Sequence, residues 1–304
     1  METGFVVVEK VRGKSSVTQS FSKYPLKLII PNKVGSNKTD AVWIYSLTYG
    51  GGIVSGDIIS CGLTVGDDCT TVFTTQSSTK VYKSVGFKCS EQNLEWRLSR
   101  HARVALIGSN ALLVVVPDPV TCFSTARYSQ KQVFRLASNS SVVIVDWITS
   151  GRHEIGESWD FKLYKSTNHI FLEDQPLFLD SVLLEDGSIT NISERMQGYQ
   201  VIAMVILLGP KLKEVQIQVK EHVKRMMYEQ LYTPTLGCKK RKSFGQTKPD
   251  MIASCSAFGP KGIGVVVRIS KNYNRSRCIG FRDLRLTKDG APQGHHHITD
   301  VIPE

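Results

Sequence analysis

Short β-rich segments separated by turn residues are the feature of this sequence that most constrains its fold. β-Branched and aromatic residues dominate the segments, and turns recur at intervals of roughly 8–12 residues, as is typical of stacked sheets. We therefore predict a mostly β protein of stacked antiparallel sheets, arranged as a β-sandwich or in a β-helical manner. Beyond Tyr82 the strand candidates are Ala102–Ile107, Leu112–Val116, Gln132–Leu136, Ser141–Ile148, Trp159–Tyr164, Ile170–Leu172 and Ile263–Ile269.

The segment from Pro210 to Leu231 follows a helical pattern instead. Its apolar residues recur at helical spacing, and Lys and Glu residues occupy the opposite face. The apolar positions are Leu212, Val215, Val219, Val223, Met226 and Met227. Pro210 suits the first turn of a helix, where its missing N–H has no partner to lose. We predict a helix at about 211–231 that packs on a sheet, in a chain with one or two helices.

The composition excludes several classes of protein. The longest apolar runs, Ala111–Val116 and Val201–Leu208, are far shorter than the roughly 20 residues of a membrane-spanning helix. The N-terminal segment lacks the basic flank of a signal peptide. The seven cysteines include no CxxC pair, which argues against a disulfide framework and a zinc site. We expect a cytoplasmic protein with no membrane partner.

The positive charge of the chain is concentrated in its last third. The net charge is +11, and Lys239, Lys240, Arg241 and Lys242 form the densest cluster. Such a field favours an acidic protein surface or nucleic acid as partner. Because the cluster has no interleaved aromatic residues and the chain has no RNA-binding signature, we expect no nucleic-acid partner.

Two segments near the N-terminus are unusual for ordinary strands. Tyr49–Asp57 contains three consecutive glycines, but it matches no phosphate-binding motif, so taken alone it is a glycine turn before a strand. Thr70–Tyr82, if it is one strand, carries polar side chains on both faces from Thr74 to Lys80. Unpaired hydroxyls and amides are costly to bury, so this strand fits a sheet edge, a wet channel or an interface.

An acid lies near the end of the apolar segment Ser141–Ile148. Asp146 precedes Trp147, and a buried carboxylate is seldom left without a partner. Arg152, a metal ion and a water-filled passage are all candidates for that partner. A metal-assisted hydrolase using Asp57, Asp146 and His153 is therefore an alternative function, although the spacing of these residues specifies no closed metal site.

Six segments occur in an order shared with one known family. They are Tyr49–Asp57, Thr74–Ser84, Pro117–Phe123, Ala126–Gln130, Asp146–Arg152 and Glu157–Trp159. On these segments the chain resembles the UreD (UreH) family of urease accessory proteins, and it is similar to the eukaryotic, plant-like branch. The resemblance implies a non-enzymatic scaffold that docks on apo-urease with UreF and the GTPase UreG. It also implies that nickel passes through the chain to the urease active site, with no cofactor bound stably.

The resemblance also assigns residues to roles. Lining of the nickel passage is implied for Asp57, Thr74, Thr75, Gln76, Ser78, Asp146 and Asp180. Transient contact with the metal is implied for Asp57, Asp146 and Glu157. A structural role in the shared motifs is implied for Gly50, Gly51, Gly52, Gly56, Trp147, Gly151 and Arg152. No residue is assigned to catalysis, and polar walls with isolated carboxylates suit an ion that must be released.

The end of the chain departs from the family pattern. After Arg282 it contains three adjacent histidines, from His295 to His297, and no segment that we can match to the family. We expect one UreD-like β-rich domain over residues 1–283 and an atypical, disordered tail over residues 284–304.

Overall fold

The computed structural model of the chain describes residues 2–32, 40–85, 92–97, 110–137, 139–187, 189–232 and 249–272. Over these residues the chain forms two stacked β-sheets and two α-helices, which confirms the prediction of a mostly β fold. The candidate strand Ala102–Ile107, the basic cluster Lys239–Lys242 and the tail from residue 284 lie outside the described residues.

The described strands divide between two sheets. Sheet A contains β1 (Gly4–Val11), β2 (Lys14–Ser22), β5 (Ile58–Val65), β8 (Gln92–Arg97), β11 (Arg127–Leu136), β13 (Leu163–Leu172) and β14 (Gln175–Glu185). Sheet B contains β3 (Leu26–Ile29), β4 (Val42–Thr48), β6 (Thr70–Thr75), β7 (Thr79–Val81), β9 (Leu112–Val116), β10 (Val120–Cys122), β12 (Ser141–Thr149), β15 (Val201–Leu208), β16 (Met251–Phe258) and β17 (Gly264–Lys271).

From β4 to β13 the chain alternates between the sheets, and each coil adds one long strand to each sheet. Successive coils pair in parallel, as β5–β8–β11–β13 in sheet A and β4–β6–β9–β12 in sheet B. Parallel neighbours need a crossover connection, and here the strand in the opposite sheet provides it. The expectation of antiparallel sheets is therefore wrong for these strands, whereas the β-helical arrangement describes them. Antiparallel pairs flank the coils, for example β1–β2, β13–β14 and β12–β15.

Strand β13 is longer than its sequence pattern suggested. A single strand begins at Leu163 and runs through Leu172. It includes the whole of the candidate Ile170–Leu172 but only the last two residues of the candidate Trp159–Tyr164. Trp159 has a positive φ of 58° and stays outside the sheet. Polar residues in the middle of β13 made the segment look like a loop between two strands.

The predicted helix is confirmed. A 3-10 turn at Pro210–Leu212 leads into α2 (Lys213–Tyr232), and the apolar side of α2 packs on the outer face of sheet B. Val219 and Val223 are buried in this contact. A second, short helix, α1 (Ile192–Met196), is capped by Asn191. In the described part of the chain, no helix combines the length and the apolar character needed to cross a bilayer.

The space between the sheets holds two apolar clusters rather than one. The first lies near the beginning of strand β12 and includes Ile44, Phe73 and Ile144. The second lies towards the β12 end and includes Tyr128 and Ile148. Polar side chains from β11, β12 and β13 occupy the layer between them, and this layer positions the candidate site.

Candidate functional site

Asp146 lies at the centre of the polar layer. Its side chain is only 8% exposed and points from β12 towards sheet A. Four residues of sheet A surround it because β11 and β13 are parallel neighbours in register, with Gln130 beside Ser166 and Gln132 beside Asn168. We call these four residues and Asp146 the polar belt.

Neutral groups supply the hydrogen bonds to the Asp146 carboxylate. The Gln130 amide Nε2 donates to Oδ1 at 2.7 Å, and the Asn168 amide Nδ2 donates to Oδ2 at 2.7 Å. The Ser166 hydroxyl also donates to Oδ2, and the Tyr164 hydroxyl makes a longer contact with Oδ1 at 3.5 Å. Two oxygens offer about four acceptor positions, so the donors fill the carboxylate.

The orientation of each amide is fixed by a further donor. The Tyr128 hydroxyl donates to Gln130 Oε1 at 3.1 Å, and Gln132 Nε2 donates to Asn168 Oδ1 at 2.9 Å. The oxygen of each amide is thereby engaged, and its nitrogen is turned towards Asp146. Burial raises the pKa of the Tyr128 phenol well above its usual value, so this hydroxyl keeps its proton and remains a donor.

The carboxylate is buried without a cation among its hydrogen-bond partners in the described chain. Burial raises the pKa of Asp146, and the hydrogen bonds from Ser166, Asn168 and Gln130 oppose that shift. Arg152, one of the candidate partners of Asp146, binds Glu157 instead. Burial thus disfavours the ionised form of Asp146, and a positive ion beside the carboxylate would favour that form.

A small cavity adjoins the polar belt. It has a volume of about 30 Å³, enough for a water molecule or two, and both Asp146 and Gln130 contribute to its wall. Its other side reaches Thr75 and Asp118, which are only half-buried. The Asp118 backbone N–H donates to Thr75 Oγ1 at 2.7 Å. The cavity thus lies between the buried carboxylate and the half-buried Thr75 and Asp118, and apolar side chains such as Phe73, Val115 and Val120 form most of its wall.

Asp180 extends the belt towards the opposite margin of the sandwich. It is in register with Asn168, the partner of Asp146, on the edge strand β14. Arg268 from sheet B donates to Asp180 Oδ1 at 2.8 Å, while Asp180 Oδ2 is buried without a hydrogen-bond partner. The belt therefore ends at an ion pair that joins the two sheets.

A second group of shared motifs meets at one end of the molecule. The Arg152 guanidinium lies 3.9 Å from the centre of the Phe123 ring and donates through Nε to Glu157 at 2.9 Å. The rings of Tyr82 and Phe123 are perpendicular, with centres 5.2 Å apart. The hydrogen bond from Arg152 lowers the pKa of Glu157. We call Tyr82, Phe123, Arg152 and Glu157 the end cluster.

The glycine segment packs against this cluster. A Cβ on Gly52 would lie 2.6 Å from Tyr82 Cε2 and 2.7 Å from the Lys80 carbonyl oxygen, so only glycine fits. Gly50 has a left-handed φ of 73°, and its carbonyl accepts a hydrogen bond from the Tyr82 hydroxyl at 3.2 Å. Gly51, Gly56 and Gly151 also have positive φ values. Trp147 lies apart from them, and its indole donates to the Pro117 carbonyl at 2.8 Å.

The remaining residues assigned to the passage are scattered. Asp57 accepts a hydrogen bond from the Val54 N–H within a surface turn. Thr74 is buried and donates to the Val116 carbonyl at 2.7 Å. Gln76 is exposed and Ser78 half-buried, because the predicted strand Thr70–Tyr82 is interrupted by a bend between β6 and β7. The structure thus brings Thr75 and Asp146 to one cavity and leaves Asp57, Gln76 and Ser78 away from it.

The comparison with known proteins agrees with the ordered motifs. The family model described as UreD urease accessory protein matches residues 3–274. The chain is 62% identical to urease accessory protein D of Arabidopsis thaliana over 282 residues, covering 91% of this chain and 92% of the relative. The chain belongs to the UreD family of urease accessory proteins. It is also 58% identical to urease accessory protein D of Oryza sativa subsp. indica, covering 88% and 86% of the two chains. A bacterial relative, urease accessory protein UreD of Anaeromyxobacter, is 32% identical over 72% of this chain and 69% of its own.

Membership of the UreD family, whose members are accessory proteins, makes this chain a non-enzyme. The geometry gives the alternative hydrolase no support. His153 lies on an exposed turn, whereas Asp146 is enclosed by the polar belt. Within the described ranges, no three His, Cys, Asp or Glu side chains are grouped closely enough to hold a metal ion.

The polar belt of this UreD protein was missed by the sequence analysis apart from Asp146. The signal was present as two matched patterns of alternate residues. They are Tyr128, Gln130, Gln132 and Phe134 in β11, and Tyr164, Ser166, Asn168 and Ile170 in β13. In each strand two polar residues replace the middle of an apolar face, and the parallel register places the two interruptions side by side.

Proposed function

We propose that this chain docks on apo-urease with UreF and UreG and conducts nickel towards the urease active site during metallocentre maturation. Its membership of the UreD family makes it a urease accessory protein. The partners, the cytoplasmic location and the passage of nickel are our extension of that family assignment. The chain is expected to bind no cofactor stably, since nickel is its cargo.

One observation carries the proposal for nickel. The Asp146 carboxylate is buried beside a small cavity whose lining is mostly apolar, and its hydrogen bonds come from neutral donors. An arginine or lysine partner would neutralise the charge and exclude a second cation. Amide and hydroxyl groups are uncharged, so they place no cation beside the carboxylate.

The chemistry of the belt suits transfer better than storage. Carboxylate, amide and hydroxyl oxygens are weaker ligands for nickel than imidazole or thiolate groups. An ion that meets such oxygens in succession is held loosely at each of them and can move on. We propose that nickel enters beside Thr75 and Asp118, reaches Asp146, and leaves past Asn168 towards Asp180.

We propose that this path is closed in the isolated chain. The cavity has room for about two water molecules at most, and a hydrated nickel ion is larger. Arg268 occupies the Asp180 end of the belt. We expect the path to widen when the accessory complex assembles, with Arg268 leaving Asp180. Asp57, Gln76, Ser78 and Thr74 would then belong to the surroundings of the passage or to the contact with a partner.

Glu157 is left out of the proposed passage. Its carboxylate is held by two hydrogen bonds from Arg152, and this pairing leaves little reason for nickel to bind there. We assign Glu157 to the end cluster as a structural residue.

Co-expression tests the proposed function. Plant urease, UreF and UreG would be produced together in a bacterial host with nickel, with and without this chain, and urease activity measured in each extract. We expect activity to depend on the chain, and nickel bound per urease active site to follow it. Equal activity and equal nickel in its absence would contradict the proposal.

A further inference from the structure

Exposed apolar side chains collect around the glycine segment at one end of the sandwich. Tyr24 is 65% exposed, Tyr49 50% and Val85 78%, and Val54 is also exposed. We call Tyr24, Tyr49, Val54 and Val85 the glycine-loop patch. Single exposed apolar residues are common on proteins, but a contiguous group of them marks an interaction surface.

Contacts join the members of the patch in two pairs. The rings of Tyr24 and Tyr49 have centres 6.0 Å apart, and the Tyr49 N–H donates to the Pro25 carbonyl at 3.0 Å. The Val85 N–H donates to the hydroxyl of Ser55, the neighbour of Val54, at 3.0 Å. The patch therefore consists of two pairs of exposed apolar residues from three parts of the chain, and the glycine loop connects Tyr49 to Val54.

The support beneath the patch is rigid. The backbone of the glycine loop is held by Tyr82, whose ring leaves no space for a side chain on Gly52. Backbone hydrogen bonds join Ile53 to Lys80 and to Tyr82 on either side. Tyr82 in turn packs on Phe123 and so on the end cluster. Aromatic side chains on a rigid support lose little entropy on binding, which is why they act as anchors in protein interfaces.

Lysines frame this surface. Lys23, Lys80 and Lys83 are exposed beside Tyr24, the glycine loop and Val85. Within the loop, Asp57 is the acidic residue, and its carboxylate accepts the Val54 N–H. An apolar centre with a basic rim complements a surface that has apolar pockets and an acidic rim.

We propose that the glycine-loop patch is a docking surface for a protein partner with an apolar, acid-rimmed face. Tyr24 and Tyr49 enter the apolar part of that face, and Lys23 and Lys80 meet its carboxylates. The location is distinct from the polar belt, so the patch serves assembly and the belt serves the ion. The inference rests on the proposed function only for the choice of binding probes.

Binding of purified probes tests the patch. Apo-urease, UreF and UreG would each be immobilised, and the affinity of the wild-type chain compared with that of a Tyr24→Ala, Tyr49→Ala variant. The matched control is Leu179→Ala, Leu183→Ala, which removes two side chains of similar exposure, 59% and 54%, from β14. A third variant, Lys23→Glu, Lys80→Glu, reverses two charges of the rim. Thermal unfolding would confirm that each variant is folded.

We expect the tyrosine variant to bind at least one probe about ten times more weakly, which corresponds to about 1.4 kcal/mol. The lysine variant should slow association, and the effect should shrink as salt is added. The β14 control should bind as the wild type does. Unchanged binding by both patch variants, or an equal loss in the control, would overturn the docking surface. A wild-type chain that binds no probe would contradict the proposed partners themselves and with them this surface.

Discussion

The polar belt and the end cluster each contain one acidic side chain, but the two acids have opposite kinds of partner. These acids are the buried Asp146 in the belt and the partly buried Glu157 in the end cluster. The belt surrounds its acid with neutral donors and raises its pKa through burial, whereas the cluster supplies Arg152 and lowers the pKa of Glu157. The comparison separates an acid whose hydrogen bonds come from neutral donors from an acid that is paired with an arginine.

The largest expected effect comes from removing the acid of the belt. Asp146→Leu would leave the donors of Gln130, Asn168 and Ser166 without an acceptor, and each such loss costs about 1–3 kcal/mol. We expect the free energy of unfolding to fall by about 3 kcal/mol, measured by urea denaturation. Asp146→Asn retains the shape and one acceptor oxygen, so its loss should be clearly smaller. Equal losses would mean that the donors do not depend on the carboxylate.

A smaller effect is expected at the support of the end cluster. Gly52→Ala would place a methyl group within 2.7 Å of the Lys80 carbonyl and against Tyr82, and overpacking of this kind costs about 2 kcal/mol. Gly13→Ala is the control, because Gly13 has a φ of 76° but nothing within 4 Å of the added carbon. The control should lose only about 1 kcal/mol from backbone strain. Thermal and urea unfolding measure both, and a larger loss at Gly13 would refute the contact.

The smallest expected effects are opposite slopes with pH. The folded pKa of Asp146 lies above 3.8, so the stability of the wild type relative to Asp146→Asn should fall as pH rises from 3.8 through that folded pKa. The folded pKa of Glu157 lies below 4.5. Its stabilisation is complete above 4.5 and is lost as pH falls, so the wild type should gain relative to Glu157→Gln as pH rises to 4.5. Unfolding measured from pH 3 to pH 7 gives both slopes, and slopes of the same sign would remove the distinction.

The sequence predicted the fold class because local patterns determine it. Spacing of β-branched residues indicated the strands, and the apolar positions of α2 indicated the helix. Asp146 was also identified, since an acid in an apolar strand needs a partner. The donors around it could not be predicted, because Gln130 and Ser166 meet only through a parallel register across two coils. The sequence analysis predicts antiparallel sheets, and an antiparallel register would not place Gln130 beside Ser166.

The two acids also show the limit of sequence motifs. Arg152 follows Asp146 in one shared motif and is one of the candidate partners that the sequence offers for it. The backbone instead turns at Gly151, with a φ of 135°, and Arg152 reaches Glu157. Which acid a cation binds is decided by the turn, and a sequence read without its turn geometry cannot decide it.

Nickel bound per urease active site tests the central claim most directly. Urease would be matured with UreF, UreG and either Asp146→Asn or Glu157→Gln, and its nickel measured by elemental analysis after the complex is shown to assemble. The account predicts that Asp146→Asn lowers the nickel content several-fold while Glu157→Gln leaves it near the wild-type value. Normal nickel content with Asp146→Asn, in a complex that assembles normally, would contradict the claim that nickel passes the buried carboxylate.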